Sequence, residues 1–289
     1  MKITELFERN EKTFSFEFFP PKNYKSILEL GINIGQLINL SPSFISVTYG
    51  AGGTTQDLSF DLIDYIHNKI GLTAMAHYTC INTSREKILN DLNYLSKKGI
   101  ENLMLLRGDL PVSGEKALDV EFQHASDLIE LAHSLDQFCL GAAGYPEKHP
   151  ESNSSNEDIN WLKHKIDKGA SFIVTQMFFN NDHYFDFVMK ARNAGITNRI
   201  IPGIMPITNF NQIKKFSDMC GATIPSEIIS QLSPIQNDKE KMYKKGVDIA
   251  IKQCIDLLKK GAPGLHFYTL NKSRATVDIF SSLPHGLTH

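Results

Sequence analysis

The sequence predicts an α/β protein folded as a (β/α)8 barrel of the TIM type, and three observations carry that reading. Eight short β-rich runs recur along the 289 residues. Polar segments of helical period, with helical start and stop signals, separate them. The span matches the roughly 250 residues that eight strand–helix units need. A doubly wound open sheet is the alternative, since strand order cannot be read from one sequence. In either architecture the site lies at the carboxyl ends of the strands.

The first run, Thr13–Phe19, stops at Pro20-Pro21. Phe44–Tyr49, Thr73–Cys80, Leu103–Arg107, Phe138–Tyr145, Phe172–Phe179, Arg199–Met205 and Leu265–Leu270 follow as the second to eighth. Between them, Ser84-Arg85-Glu86-Lys87 opens a helix that closes on Lys-Lys-Gly, and Asn156–Gly169 and Asn181–Gly195 close on glycine in the same way. The stretch before the eighth strand is too long for one helix. Phe210–Cys220, Pro225–Leu232 and Asp238–Lys260 read as an inserted pair plus the standard helix. No repeat, low-complexity tract or linker interrupts the pattern, so residues 1–289 read as one domain.

Composition narrows the function. Lys and Arg number 30 against 32 Asp and Glu, a net charge of −2, which excludes a general nucleic-acid binder. No apolar run approaches the roughly eighteen residues of a membrane span, and mean hydropathy is −0.21. The amino terminus, MKITELFERNEK, lacks the apolar stretch of a secretory signal. Cys80, Cys139, Cys220 and Cys254 are dispersed, with no CxxC, so neither a zinc site nor a disulfide frame is indicated. The expectation is a soluble, cytoplasmic protein without metal.

Strand periodicity sorts the candidate site residues. Phe14, Phe16 and Phe18 share the face that packs under outer helices, which leaves Ser15 and Glu17 facing inward. An inward carboxyl is costly to desolvate, so function is the better reason for it than structure. Thr48 ends the second strand and opens Tyr49-Gly50-Ala51-Gly52-Gly53-Thr54-Thr55. That loop lets backbone N–H groups approach a phosphate or a flat ring, although a plain tight turn explains it equally well. It is not GxGxxG, so a Rossmann site is not supported. His77 taken alone reads as a hydrogen-bonded core residue. Arg107-Gly108-Asp109 sets one of only six arginines two residues from an acid at a strand end, which favours ligand binding over a structural ion pair. Tyr145, His149 and Gln176 complete the set of strand-end groups, and a buried amide such as Gln176 needs a partner.

Several barrel chemistries fall away. A Schiff-base aldolase needs a lysine inside the mouth, and the strands contain none; Lys272 comes only after the eighth. No His-x-His supports a metal-dependent hydrolase, and no nucleophile elbow is present. One acid, several hydrogen-bonding groups and aromatic surface suit a site whose hard chemistry belongs to an organic cofactor.

Seven segments, each at a proposed strand end, carry a resemblance. They are SFEFFPPK (15–22), SVTYGAGG (46–53), LRGDLP (106–111), AAGYPEKHPE (142–151), VTQMFF (174–179), PGIMPITNF (202–210) and HFYTLN (266–271). Together they resemble the methylenetetrahydrofolate reductase family along nearly the whole chain. The resemblance implies an FAD-binding barrel that reduces 5,10-methylenetetrahydrofolate with NADH in two alternating steps and supplies methyl groups for methionine synthesis. It implies the bacterial, catalytic-domain type, homo-oligomeric, with NADH and methylenetetrahydrofolate as small-molecule partners and neither nucleic acid nor membrane. It further implies Glu17 as the acid that protonates the folate N10, and Asp109 beside flavin and pterin as its catalytic companion. FAD would be held by Thr48, Tyr49, Ala51, His77, Arg107, Gly108, Asp109, Ala125, Tyr145, His149, Asp158, His164 and Lys165. Folate would meet Asp109, Gln176, Phe216 and Lys272, and NADH would meet Thr48, Gln176 and Phe216. Lys272 stands where members often have Arg, which removes a bidentate fork. Trp161 and His164 replace Asn and Arg near the FAD, and His124 replaces an aromatic beside the adenine region. Two rivals remain: a flavin barrel with another substrate, and a folate- or flavin-binding protein without turnover.

Overall fold

A computed structural model describes residues 1–21, 23–49, 56–109 and 121–288, with the backbone alone at Tyr24 and Lys25. In chain order the elements are α1 (Ile3–Arg9), β1 (Thr13–Phe18), α2 (Tyr24–Ile38), β2 (Phe44–Val47), α3 (Gln56–Asp64), β3 (Ala74–Thr79), α4 (Arg85–Lys97) and β4 (Asn102–Leu106). Then come α5 (Ala125–Ser134), β5 (Cys139–Gly144), α6 (Ser155–Asp167), β6 (Phe172–Thr175), α7 (Asn181–Asn193), β7 (Arg199–Ile201) and β8 (Gly203–Ile204). The chain finishes with α8 (Phe210–Cys220), α9 (Ser226–Leu232), α10 (Lys239–Lys259), β9 (Gly264–Tyr268), α11 (Ser273–Ser281) and α12 (His285–Thr288). A π-helical turn, Tyr65–Ile70, extends α3.

Among the described residues all pairings are parallel, in the order β7-β6-β5-β4-β3-β2-β1-β9-β8. Strands β7 and β8 are one stave, interrupted only at Pro202, which has no N–H for the ladder. The first half of that stave pairs with β6 and the second with β9, so the barrel closes. Consecutive order with closure replaces the doubly wound alternative. Helices start where side chains cap them: Ser84 accepts from Lys87 N, Ser154 from Glu157 N, Asn209 from Gln212 N and Asp238 from Lys241 N. The extra helices before the last strand are α8 and α9, with α10 as the standard one.

The described residues form three apolar clusters. The largest lies between sheet and helices and takes in Phe14, Phe16 and Phe18, each side chain contributing about 1.5–3 kcal/mol by its burial. A second fills the lower half of the barrel with Phe44, Met75, Met104, Cys139, Phe172 and Val174, and α1 plugs it from below through Ile3 and Leu6. Ile3 N donates to Asn102 Oδ1 at 2.7 Å, and Phe7 meets Phe172 edge-on. The third lies beside the mouth under α8, α9 and α10, around Met177, Phe179 and Ile213. Among the described residues no helix is long and apolar enough to cross a membrane.

Candidate active site

The lower barrel is apolar apart from Asn102, which bonds the α1 plug, and the other polar inward residues gather nearer the mouth. Register sets them side by side: Ser15 pairs with His266, and Glu17 stands between Ser46 of β2 and Tyr268 of β9. Glu17, His77, His266 and Ser15 are 7 %, 8 %, 1 % and 0 % exposed, so protein groups rather than bulk water must solvate the carboxyl. Ser15 Oγ is 2.7 Å from His266 Nδ1, and His266 Nε2 is 3.5 Å from Glu17 Oε2. His77 Nε2 lies 3.4 Å from the same oxygen, although it is not aligned for a hydrogen bond. Burial holds the His77 imidazole below its usual range, and neighbouring His266 adds to this against the opposing pull of Glu17. Burial raises the Tyr268 phenol, and the Glu17 charge adds to it. Tyr268 donates to Thr175 O at 2.5 Å.

The loop after β9 fastens the end of β1. Thr269 Oγ1 donates to Glu17 O at 2.6 Å. The Asn271 carboxamide accepts from Phe19 N at 2.7 Å and donates to Phe19 O at 3.0 Å. Reaching this geometry puts Leu270 and Asn271 in the left-handed region, at φ 50° and 60°. For a residue such as leucine that costs about 1–2 kcal/mol. The backbone carrying Glu17 is therefore held on both sides.

A second group of residues occupies the ends of β4 and β5. Arg107 forks onto Glu151, with both contacts at 2.6 Å, so its ion-pair partner is Glu151 and not Asp109. That pair raises the Arg107 guanidinium and lowers the Glu151 carboxyl. Gly108 has φ +91°, and a Cβ there would stand 2.7 Å from Ile81 Cγ2, so only glycine fits this turn. Asp109 is exposed at the end of the described segment. Tyr145 and His149 meet edge-on at 4.7 Å. Burial pushes the Tyr145 phenol up to about 12 and the His149 imidazole down. Lys165 Nζ donates to Ala143 O at 2.6 Å, and burial brings the ammonium down to about 8, with Asp158 opposing. Burial raises Asp158 in turn. Ala125 begins α5. Beside it His124 stacks on Trp161 at 5.4 Å, and His164 meets the same indole edge-on.

Other expected residues fall as follows. The Thr48 hydroxyl is buried with no partner among the described residues. The Tyr49 ring faces the outer layer, 5.0 Å from Tyr78, and burial raises its phenol to about 12; only its backbone remains available to the mouth. Gln176 Oε1 accepts from Met177 N at 2.8 Å. Phe216 packs on the cluster that includes Tyr268. Lys272 is exposed at the N-cap of α11. Ala51 and the rest of the glycine-rich loop lie outside the described residues. Sequence reasoning missed His266 and Glu151. The alternation Leu265-His266-Phe267-Tyr268 could have found the first, because it turns His266 inward.

A cleft of about 370 Å³ between Phe185, Arg192, Arg199 and Lys260 lies at the opposite, amino-terminal end of the barrel. There Arg192 donates to the Ile196 and Asn198 carbonyls, Arg199 to that of Asn10, and Lys260 pairs with Asp256. These contacts occupy its cations, and barrel catalysis belongs to the other end.

The chain matches a known family over nearly its whole length. The family model described as methylenetetrahydrofolate reductase matches residues 2–284. "Methylenetetrahydrofolate reductase (NADH) 1" of Arabidopsis thaliana is 37 % identical over 98 % of this chain and 50 % of its own. The 5,10-methylenetetrahydrofolate reductase of Salmonella typhimurium is 38 % identical over 93 % of this chain and 90 % of its own. The chain thus spans about half the length of the plant relatives it matches. A Clostridium thermocellum protein whose structure is described as binding two copies of 5-methyl-5,6,7,8-tetrahydrofolic acid aligns with TM-score 0.64 at 16 % identity, over 99 % of this chain and 96 % of its own. At that identity the likeness is one of fold.

Proposed function

Because the chain belongs to the methylenetetrahydrofolate reductase family, a family of oxidoreductases, we propose that it reduces 5,10-methylenetetrahydrofolate to 5-methyltetrahydrofolate with NADH, the two substrates using one bound FAD in turn. The buried Glu17 carboxyl at the barrel mouth, with both histidine contacts on a single oxygen, is the observation that carries this reading. A binding protein without turnover has no use for so costly a group.

The residues fit FAD. Lys165, bonded to Ala143 O, and Arg107, forked onto the exposed Glu151 that an anionic ligand can displace, set two cations at one side of the mouth. Thr48 offers a buried hydroxyl without a partner among the described residues, and Trp161 on His124 offers an exposed aromatic platform. FAD, when bound, supplies the carrier that takes a hydride from the nicotinamide and gives it to the folate. Thr48, His77, Arg107, Gly108, Asp109, Ala125, Tyr145, His149, Asp158, His164 and Lys165 would hold it, with Tyr49 contributing backbone and Ala51 completing the set.

Glu17 holds the proton for the folate N10, a poor leaving group until protonated, and so opens the five-membered ring. Asp109 balances the positive charge that the opened folate carries. Gln176 and Phe216 position each substrate in turn, and Lys272 meets the folate end. The protein works as one catalytic barrel in the cytoplasm, as a homo-oligomer, on the route that supplies methyl groups to methionine. The test is product analysis: FAD-loaded protein given NADH and 5,10-methylenetetrahydrofolate forms 5-methyltetrahydrofolate, and NADPH serves less well. Loss of NADH to oxygen with no folate product would favour a flavin barrel with another substrate.

A further inference from the structure

One carboxylate in the outer layer ties down the chain just past β2. Asp91, on α4, accepts at Oδ2 from the Gln56 side-chain amide at 2.6 Å, the Tyr78 hydroxyl at 2.6 Å and Lys87 Nζ at 2.9 Å. Tyr78 is fully buried on β3 and packs on Tyr49, with ring centroids 5.0 Å apart. The two phenols also share a hydrogen bond. Tyr78 has one proton and gives it to Asp91, so Tyr49 is the donor between them. Burial raises both phenols and the Asp91 charge adds to it, so each stays a protonated donor. Gln56 is buried and opens α3, and Ser59, one turn later, donates to Thr48 O at 3.1 Å. Thr48, Tyr49 and Gln56, which flank the stretch Gly50–Thr55, are thereby all linked to Asp91.

We propose that Asp91 is a positioning residue for the cofactor, one that fixes the backbone of Thr48 and Tyr49 at the barrel mouth from the helix side of the sheet. Tyr78 stands between Asp91 and Tyr49, so the carboxylate acts through these side chains and not by touching the ligand. The inference rests on the reading that FAD binds at this mouth, where Thr48 keeps a buried hydroxyl without a partner among the described residues. A carboxylate suits the place because every group aimed at it is a donor and it only accepts. An asparagine there has one acceptor oxygen, and its NH₂ would face donors. A buried donor left unmatched costs more than the bond it loses. Lys87 is half-exposed and one turn away on the same helix, and such a pair contributes little. The buried Tyr78 and Gln56 contacts therefore carry the effect.

Hydrogen exchange and FAD titration test this together. The Thr48 amide donates to Phe18 O at 2.9 Å, and Ile45 N, earlier in β2, donates to Thr73 O at 2.9 Å. In ligand-free Asp91→Asn the Thr48 amide is expected to exchange about tenfold faster, with Ile45 unchanged, because only the strand end is released. FAD affinity, read by flavin fluorescence, should fall about tenfold in Asp91→Asn and about threefold in Tyr78→Phe, which loses a single donor. The double variant should bind FAD no more weakly than Asp91→Asn alone, because both changes break one chain of contacts. Asp91→Glu, which keeps an acceptor-only group, should recover part of the loss, and Lys87→Met should stay within about twofold of the unsubstituted protein. If Asp91→Asn does not fold, Tyr78→Phe carries the test with the same two readouts. Lower unfolding stability with unchanged FAD affinity would make the network merely structural and overturn the proposal. Additive losses in the double variant, or unchanged Thr48 exchange, would overturn it as well. Absence of FAD binding by the unsubstituted protein would sink the functional reading and the cofactor role with it, while the exchange result still decides whether Asp91 holds Thr48.

Discussion

Lys165→Met is expected to stabilise the ligand-free protein while weakening FAD binding. Burial takes this ammonium from its ordinary 10.5 to about 8. At about 1.36 kcal/mol per pH unit, keeping the charge costs the folded state about 3 kcal/mol. Residual solvent contact lowers that figure, and losing the 2.6 Å bond to Ala143 O takes back about 1 kcal/mol. The net gain for methionine at pH 7 is then about 1–2 kcal/mol. The sign of the pH dependence follows from proton counting. Between about 8 and 10.5 the unfolded chain holds this proton and the folded one does not, so stability rises with pH across that window. The penalty is complete below it and gone above it, so the gain from methionine shrinks through the same window. Urea unfolding of both proteins at pH 7 and pH 10.5 reads this, alongside FAD titration. FAD affinity should fall by about ten- to a hundredfold, as for loss of a charged hydrogen bond. A methionine variant that is less stable at pH 7, or whose difference does not change with pH, would refute the reasoning.

Trp161 is the single tryptophan and is 47 % exposed on His124, so FAD should quench its fluorescence and FMN should quench it much less. Trp161→Leu should weaken FAD up to about tenfold, the worth of one aromatic stacking contact, and leave FMN affinity unchanged. Lys272→Arg should lower the folate KM severalfold by restoring a bidentate fork, with the NADH KM unchanged; an unmoved folate KM would place Lys272 away from the substrate.

The legible parts of the fold were those where periodicity and burial agree. Phe14, Phe16 and Phe18 against Ser15 and Glu17 gave the two faces of β1 correctly because that strand is solvated on neither side. The helix that Ser84 opens and those read over Asn156–Gly169 and Asn181–Gly195 were legible from their start signals and glycine stops. The α1 plug was not, because a seven-residue helix has too few turns to show a period. Within the site, single strand-end residues were visible and their pairings were not. Arg107 finds Glu151 across 44 residues, and Ser15 finds His266 across 251, distances at which sequence carries no contact signal. His77 looked like a structural histidine until the fold brought Glu17 to it.

The central claim is that Glu17 supplies the proton for the folate step and for nothing else, and Glu17→Gln in anaerobic rapid mixing tests it most directly. Glutamine keeps the shape between His77 and His266 but has no proton to give. NADH should bleach the flavin of the variant at close to the normal rate. Methylenetetrahydrofolate should then restore the oxidised spectrum at least about a hundredfold more slowly, while an artificial quinone restores it fully. Restoration by folate at the normal rate, or equal slowing of both steps, would contradict the assignment.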